Sequence, residues 1–303
     1  MNHSLNTKIG LALGLISLQA IYGCPQNEDP VIAVRPESFK MTIPFEINTT
    51  GIIIDTYWGA DKIRHELLWD NHSPTWANGK VIRGNKSISK SKKTFYSTTT
   101  ADGSIIRGNV YRCDSISLGP VTFSNVPFYN ISDQMEGVFG ENLITKGAWE
   151  INFKEQTMTF ASSIDSLKDL DQAEIFPSNF TDNAIKISAG FRNNKTEDLE
   201  VDFGFNGLIL LPGTDFIEIS KGNKAIRKGS LRFSTPGSKN VLEVTEAYDS
   251  IQIQKNNYRT IIATNKLVKE KLIGRGFFVR FEFVIFDYKN QLFYVSRKKL
   301  GNF

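Results

Sequence analysis

Few side chains in this sequence are equipped for chemistry, and two acids stand out by their placement. Asp70 closes the apolar run HELLW and Asp202 closes DLEV, so each carboxylate ends an extended segment. A positioned carboxyl group can give or take a proton, although Asp is also common at strand ends because its side chain forms turns. The histidines are His3, His65 and His72, and the cysteines are Cys24 and Cys113. There is no CxxC and no Cys/His cluster, so no metal and no cofactor are expected. His72 follows Asp70 closely, and an Asp–His pair would titrate near neutrality. No nucleophile is spaced around it beyond the adjacent Ser73, so it reads as a turn residue. Asp55, in IIIDT, also looks like a strand-end acid. At the offset that separates Asp70 from Asp202 its counterpart is Ile187, so Asp55 reads as an ordinary strand residue.

The elements that must position these acids are strands. Helical periodicity is scarce, and short β-branched and aromatic runs alternate with Gly, Asn and Pro. The chain also repeats itself. Asp70 matches Asp202, Asp114 (DSISL) matches Asp249 (DSIQI), Gly140 (GVFG) matches Gly274 (KLIG), and Asn152 (NFKEQ) matches Asp287 (DYKNQ). The four pairs keep nearly one separation along the chain and agree to within about three residues, the scatter that short loop insertions produce. Two lobes are expected, at 38–162 and 178–300, joined by a polar, acidic linker over 163–177.

Each lobe runs in the same order. A hairpin comes first (IPFEINTTGIIIDTYW; NAIKISAGF). An apolar strand ending in Asp follows, then a long segment with Gly-rich turns, an Asp-Ser-Ile strand, an apolar pair with Gly, and a last strand. This order resembles the retropepsin-like and pepsin-like aspartic peptidases in a bacterial two-lobe form, and the closing FDYKNQLFY is close to that family's last strand. The resemblance implies a mostly β, two-lobe fold with a pseudo-twofold axis. It makes Asp70 and Asp202 the catalytic pair, facing each other about 3 Å apart and sharing one proton. It also makes Gly140 and Gly274 the glycines of the ψ-loops, and the hairpin between Tyr96 and Tyr111 the flap. Two departures stand in the Asp-Thr/Ser-Gly motif. The first lobe reads DNH, with Asn71 able to hydrogen-bond and His72 in place of Gly, which implies a turn of different shape. The second reads DFG, with Phe203 in place of Ser or Thr. The expected function is an exported aspartic-type endopeptidase cutting a peptide or protein in the cleft between lobes. The alternative is a catalytically inactive peptidase-fold protein that binds peptides or partner proteins at the cell envelope. A duplicated chain supplies both halves of the site, so a monomer suffices.

Composition sets the remaining bounds. The chain has 303 residues, 40% hydrophobic and 12% aromatic, enough for a sizeable core. The formal net charge is +4, and the densest basic stretch, 83–93, is rich in Gly, Ser and Asn. It reads as a solvated loop, and nucleic acid is not an expected partner. Residues 1–24 place Lys8 before an apolar run from Ile9 to Ile21, as a secretory signal does. That run is short for a bilayer span. It ends in IYGC, which resembles a bacterial lipobox and makes Cys24 the candidate lipidation site. Ordinary signal cleavage and a structural cysteine are the other readings. The expected location is the bacterial cell envelope, with a lipid anchor through Cys24.

Overall fold

Strand formation follows from local pattern. In Ile52–Trp58 the residues Ile52, Ile54, Thr56 and Trp58 are buried while Ile53, Asp55 and Tyr57 are more exposed, the alternation of a strand with one face on a core. It pairs antiparallel with Ile63–Trp69, from Ile52 opposite Trp69 to Trp58 opposite Ile63. The computed structural model describes residues 31–91, 96–99, 105–167, 170–223, 225–235 and 238–300. The expected signal segment 1–24 with Cys24 and the ADG turn of the expected flap lie outside the described residues. On either side of that turn Tyr96–Thr99 pairs antiparallel with Ile105–Leu118, Tyr96 opposite Gly108 and Thr99 opposite Ile105.

The two halves build sheets with one common strand order. In the first half the neighbours run Ile52–Trp58, Ile63–Trp69, Gly137–Phe139, Trp76–Ala77, Val121–Asn130. In the second they run Ala184–Phe191, Thr196–Asp202, Leu272–Gly274, Ile209–Leu210, Asn256–Thr264. In each half the short apolar-Gly segment lies parallel to the strand that ends at the aspartate, with Phe139 opposite Trp69 and Gly274 opposite Asp202. A parallel pair needs a crossover, and here much of each half lies between the two strands.

A third sheet of six strands draws on both halves. Its order is Ala173–Ile175, Leu292–Ser296, Phe283–Asp287, Ala148–Asn152, Thr157–Ala161, Lys40–Pro44. The halves meet where Trp149 pairs with Phe286 and Ile151 with Val284. Above this seam Trp69, Phe203 and Phe286 pack together, with ring centroids 5.0–5.8 Å apart. All three are fully buried, and each such side chain contributes about 1.5–3 kcal/mol. Trp69 precedes Asp70 and Phe203 follows Asp202, so this aromatic floor fixes the backbone beneath both acids.

Two segments are more ordered than their composition suggests. Within 83–93, Ile88–Lys90 is a short strand on Ile105–Leu118, Ile88 opposite Cys113. The solvated-loop reading is corrected there: a long partner strand overrides a Lys- and Ser-rich composition. Within 163–177, two 3-10 turns, Ile164–Ser166 and Leu170–Gln172, lead into Ala173–Ile175, which pairs with Leu292–Ser296.

Candidate active site

Each aspartate is carried to its place by the end of a strand. The Asp70 N–H donates to the Phe139 carbonyl at 3.2 Å, extending the parallel ladder by one residue. Asp202 closes its own strand opposite Gly274. Past each acid the chain turns on the acid's own side chain, as Asp does in turns. Asp70 Oδ1 accepts from the His72 N–H at 2.9 Å, and Asp202 Oδ1 accepts from the Phe205 N–H at 3.0 Å. The Ser73 and Gly204 N–H groups also point at the Asp70 carboxylate.

The two turns interlock across the halves. Asn71 Oδ1 accepts from the Phe203 N–H at 2.9 Å, and Asn71 Nδ2 donates to the Val201 carbonyl at 2.8 Å. Asn71 is buried, and one amide side chain thereby satisfies two backbone groups that flank Asp202. Phe203, with no polar side-chain atom, turns down onto the aromatic floor against Trp69, Phe278 and Phe286. Gly204 lies hard against Asp70: a Cβ there would come 2.5 Å from the Asp70 Cγ. The constraint is proximity, because neither Gly204 nor His72 lies in the left-handed region. That is how a histidine fits at the matched position in the first half. The ψ-loop glycines face a similar limit, since a Cβ on Gly140 would collide with the backbone of Ser73 and Pro74, and one on Gly274 with Gly207.

Electrostatics mark the same spot. Burial first, and the charge of Asp70 second, push Asp202 up to about 7 from an ordinary 3.8, with His72 pulling the other way. Burial also raises Asp70, opposed by the His72 N–H bond and the His72 charge. His72 Nδ1 lies 2.9 Å from Glu200 Oε1, and Nε2 lies 3.9 Å from Glu270 Oε2. Burial would lower the imidazole, but the close Glu200 carboxylate and the nearby Glu270 carboxylate outweigh it and hold it well above its ordinary value. For Glu200, burial works upward, and the bond to His72 with its charge brings it below the usual range. Glu141 is raised by burial, while Asn183 donates to its Oε1 at 2.9 Å. Burial also pushes the Tyr288 phenol well up, with Glu141 and Asp70 adding to the effect.

Asp70 therefore lies against the turn that Asp202 opens, and its charge raises Asp202. Asp55 is elsewhere, exposed and bonded to Arg64 at 2.9 Å. Cys113 is buried, its thiol donating to the Ser115 carbonyl at 3.0 Å and pushed up to about 11 by burial. Glu200, Glu270, Glu141 and Tyr288 were not singled out from the sequence. One signal was available: Glu200 precedes Asp202 by two positions and so shares its face of the strand.

No family model matches this sequence, and no curated protein matches it. A solved structure, the aspartic proteinase from Irpex lacteus, is similar with a TM-score of 0.61 at 16% identity, covering 86% of this chain and 98% of that chain. At that identity the likeness concerns architecture alone. The chain has the mostly β, two-lobe fold of the pepsin-like aspartic proteinases.

Proposed function

We propose that this chain is an exported aspartic-type endopeptidase that hydrolyses peptide bonds with Asp70 and Asp202 as its catalytic pair. The observation that carries this reading is geometric: each acid ends a matched strand beside a ψ-loop glycine, and the turn that Asp202 opens comes so close that a Cβ on Gly204 would strike the Asp70 carboxylate; the charge of Asp70 accordingly raises Asp202. Desolvated like charges held together cannot both ionise, so the pair keeps one proton near neutrality. Asp70 accepts more backbone N–H bonds than Asp202, which suits it to the ionised role. It takes a proton from a water between the acids, and the water oxygen attacks the peptide carbonyl carbon. Asp202 gives its proton to the carbonyl oxygen. Collapse of the tetrahedral gem-diol breaks the C–N bond: the leaving nitrogen takes the proton that Asp70 acquired, and one hydroxyl returns its proton to Asp202 as the C=O bond re-forms, which restores the singly protonated pair.

One observation favours a second reading, a catalytically inactive protein of this fold that binds peptides or partner proteins. His72 fills the place matched by Gly204 and is engaged by Glu200, while Phe203 supplies no hydroxyl. A pepstatin-type inhibitor together with a panel of unfolded protein substrates separates the two. Cleavage that the inhibitor blocks, and that Asp202→Asn abolishes, supports the peptidase. Saturable peptide binding without cleavage at any pH from about 3 to about 8, a range wide enough to cross the titration of carboxyl groups and of a raised Asp, supports the second.

Export and lipid anchoring at a bacterial envelope form part of the same proposal. They are supported by the apolar run from Ile9 to Ile21 and by IYGC. Intact-mass measurement of the wild type and Cys24→Ser tests them, with a diacylglyceryl addition expected on the wild type alone.

A further inference from the structure

His72 has no task in the reaction outlined above, yet its side chain is held between two acids. It stands in the first half, and its ring crosses to acids of the second. Nδ1 lies 2.9 Å from Glu200 Oε1 and Nε2 lies 3.9 Å from Glu270 Oε2. Nδ1 is within hydrogen-bond reach of one carboxylate and Nε2 within ion-pair distance of a second, so acids on both sides of the ring favour the imidazolium. The backbone is fixed as well, because the His72 N–H donates to Asp70 Oδ1 at 2.9 Å. The charged groups around the ring are Asp70 and Asp202 at the strand ends, Glu200 and Glu270 from the second half, and Glu141 from the turn after the first ψ-loop glycine. Lys186 acts on Glu200 from the neighbouring strand. So many acids in one partly desolvated place require a cation among them.

We propose that His72 is a positioning residue of the site: clamped as an imidazolium by Glu200 and Glu270, it keeps a fixed positive charge beside Asp70 and Asp202 and so sets the pH range in which that pair holds a single proton. Its consequence for turnover rests on the peptidase reading, whereas its effect on the charge of the pair does not. The charge of His72 lowers both Asp70 and Asp202 against the upward push of burial. With the imidazolium in place, the singly protonated window lies lower on the pH scale than the buried acids alone would place it. A glycine, the residue at the matched position in the second half, provides no such control.

The test is a carboxyl-carbon NMR titration of the full chain as wild type, His72→Gln, His72→Lys and Glu200→Gln. In His72→Gln the upper midpoint of the Asp pair should move up by about one pH unit or more. His72→Lys, which restores a cation, should move it back toward the wild-type value. In Glu200→Gln the imidazole's own midpoint should fall, and the Asp midpoint should rise once the ring is neutral. A purely structural role would change melting temperature and leave the Asp midpoints in place, and unmoved midpoints in folded variants overturn the proposal. If His72→Gln fails to fold, Glu200→Gln carries the same test. Where the protein turns over peptide, the kcat/KM profile should shift in step with the midpoints. Moved midpoints in a chain that cuts nothing leave the His72 role standing and the peptidase reading fallen. Cleavage with unmoved midpoints does the reverse.

Discussion

Glu141 and Arg275 stand at matched places in the two halves, and each reaches out of its own half to the other. Each directly follows a ψ-loop glycine. Their backbones do the same thing: the Glu141 N–H donates to Ser73 at 2.8 Å and the Arg275 N–H to Phe205 at 2.9 Å, in both cases the carbonyl three positions past the aspartate. Their side chains answer the opposite hairpin turn. Asn183 donates to Glu141, and Arg275 donates to the Asn48 carbonyl at 3.4 Å and to the Asn206 side chain. Asn48 and Asn183 are themselves matched, at nearly the offset that relates the other pairs. The two halves thus keep one backbone plan with opposite charges upon it. Burial works against both, raising Glu141 and lowering Arg275 to about 10.

The Asn71 amide serves two backbone groups at once, so its loss should be costly. Asn71→Ala leaves the Phe203 N–H and the Val201 carbonyl unpaired, and unfolding free energy should fall by about 1–3 kcal/mol for each group left buried. Asn71→Asp is the sharper probe, since it can still accept from Phe203 but cannot donate to Val201. It also adds a charge beside two acids that already repel. Chemical denaturation should rank the proteins as wild type, then Ala, then Asp at neutral pH, and equal stabilities would remove the cross-half role of Asn71.

Gly204 can be tested against a glycine with room to spare. Gly204→Ala pushes a methyl group into the Asp70 carboxylate and should destabilise by about 1–3 kcal/mol. It should also disturb any ligand that depends on Asp70. Gly190→Ala places its methyl 3.7 Å from Gln252, an ordinary contact. It should leave stability within about 0.5 kcal/mol of wild type. Similar losses at both positions would mean that proximity to Asp70 is not what restricts Gly204.

The raised Asp202 makes stability depend on pH in a definite direction. Unfolded, it loses its proton near 3.8; folded, it holds it to about 7. The folded state therefore binds the proton more tightly. Its contribution is fully present below pH 3.8 and declines between 3.8 and about 7 as the unfolded chain ionises first. Asp202→Asn removes this loss. Relative to wild type, the variant should gain melting temperature steadily from pH 4 to pH 7. Parallel curves for the two proteins would contradict the assignment.

For peptide hydrolysis the pair should act as a unit. Asp70→Asn and Asp202→Asn should each lower the rate by about 10³-fold or more, and the double variant should be little worse than either single one. Single-turnover assays at matched folded fractions measure this. An unchanged rate in Asp70→Asn would remove Asp70 from the reaction.

The acids were legible because local pattern marks them: an apolar run, then Asp, twice, at the offset that other landmarks share. Strands and ψ-loop glycines were legible for the same reason. What surrounds the acids was not. Glu200 meets His72 from the opposite half of the chain, and Asn183 meets Glu141 from beyond the linker. No local periodicity encodes either meeting. His72 read as an obstacle to a glycine-type turn, and the structure removes the obstacle by keeping that turn out of the left-handed region. Ile88–Lys90 was hidden by its composition, because its partner strand begins beyond position 104.

The six-stranded sheet has a consequence for how the protein can be divided. Ala148–Asn152 lies between Thr157–Ala161 of its own half and Phe283–Asp287 of the other. A fragment ending near residue 162 would leave that strand with an open apolar edge. Exposed edges of this kind pair with whatever strand is offered, including a second copy of the same fragment. Separately produced halves should therefore be found either reunited with each other or coupled to themselves, and neither should persist as a free, folded piece.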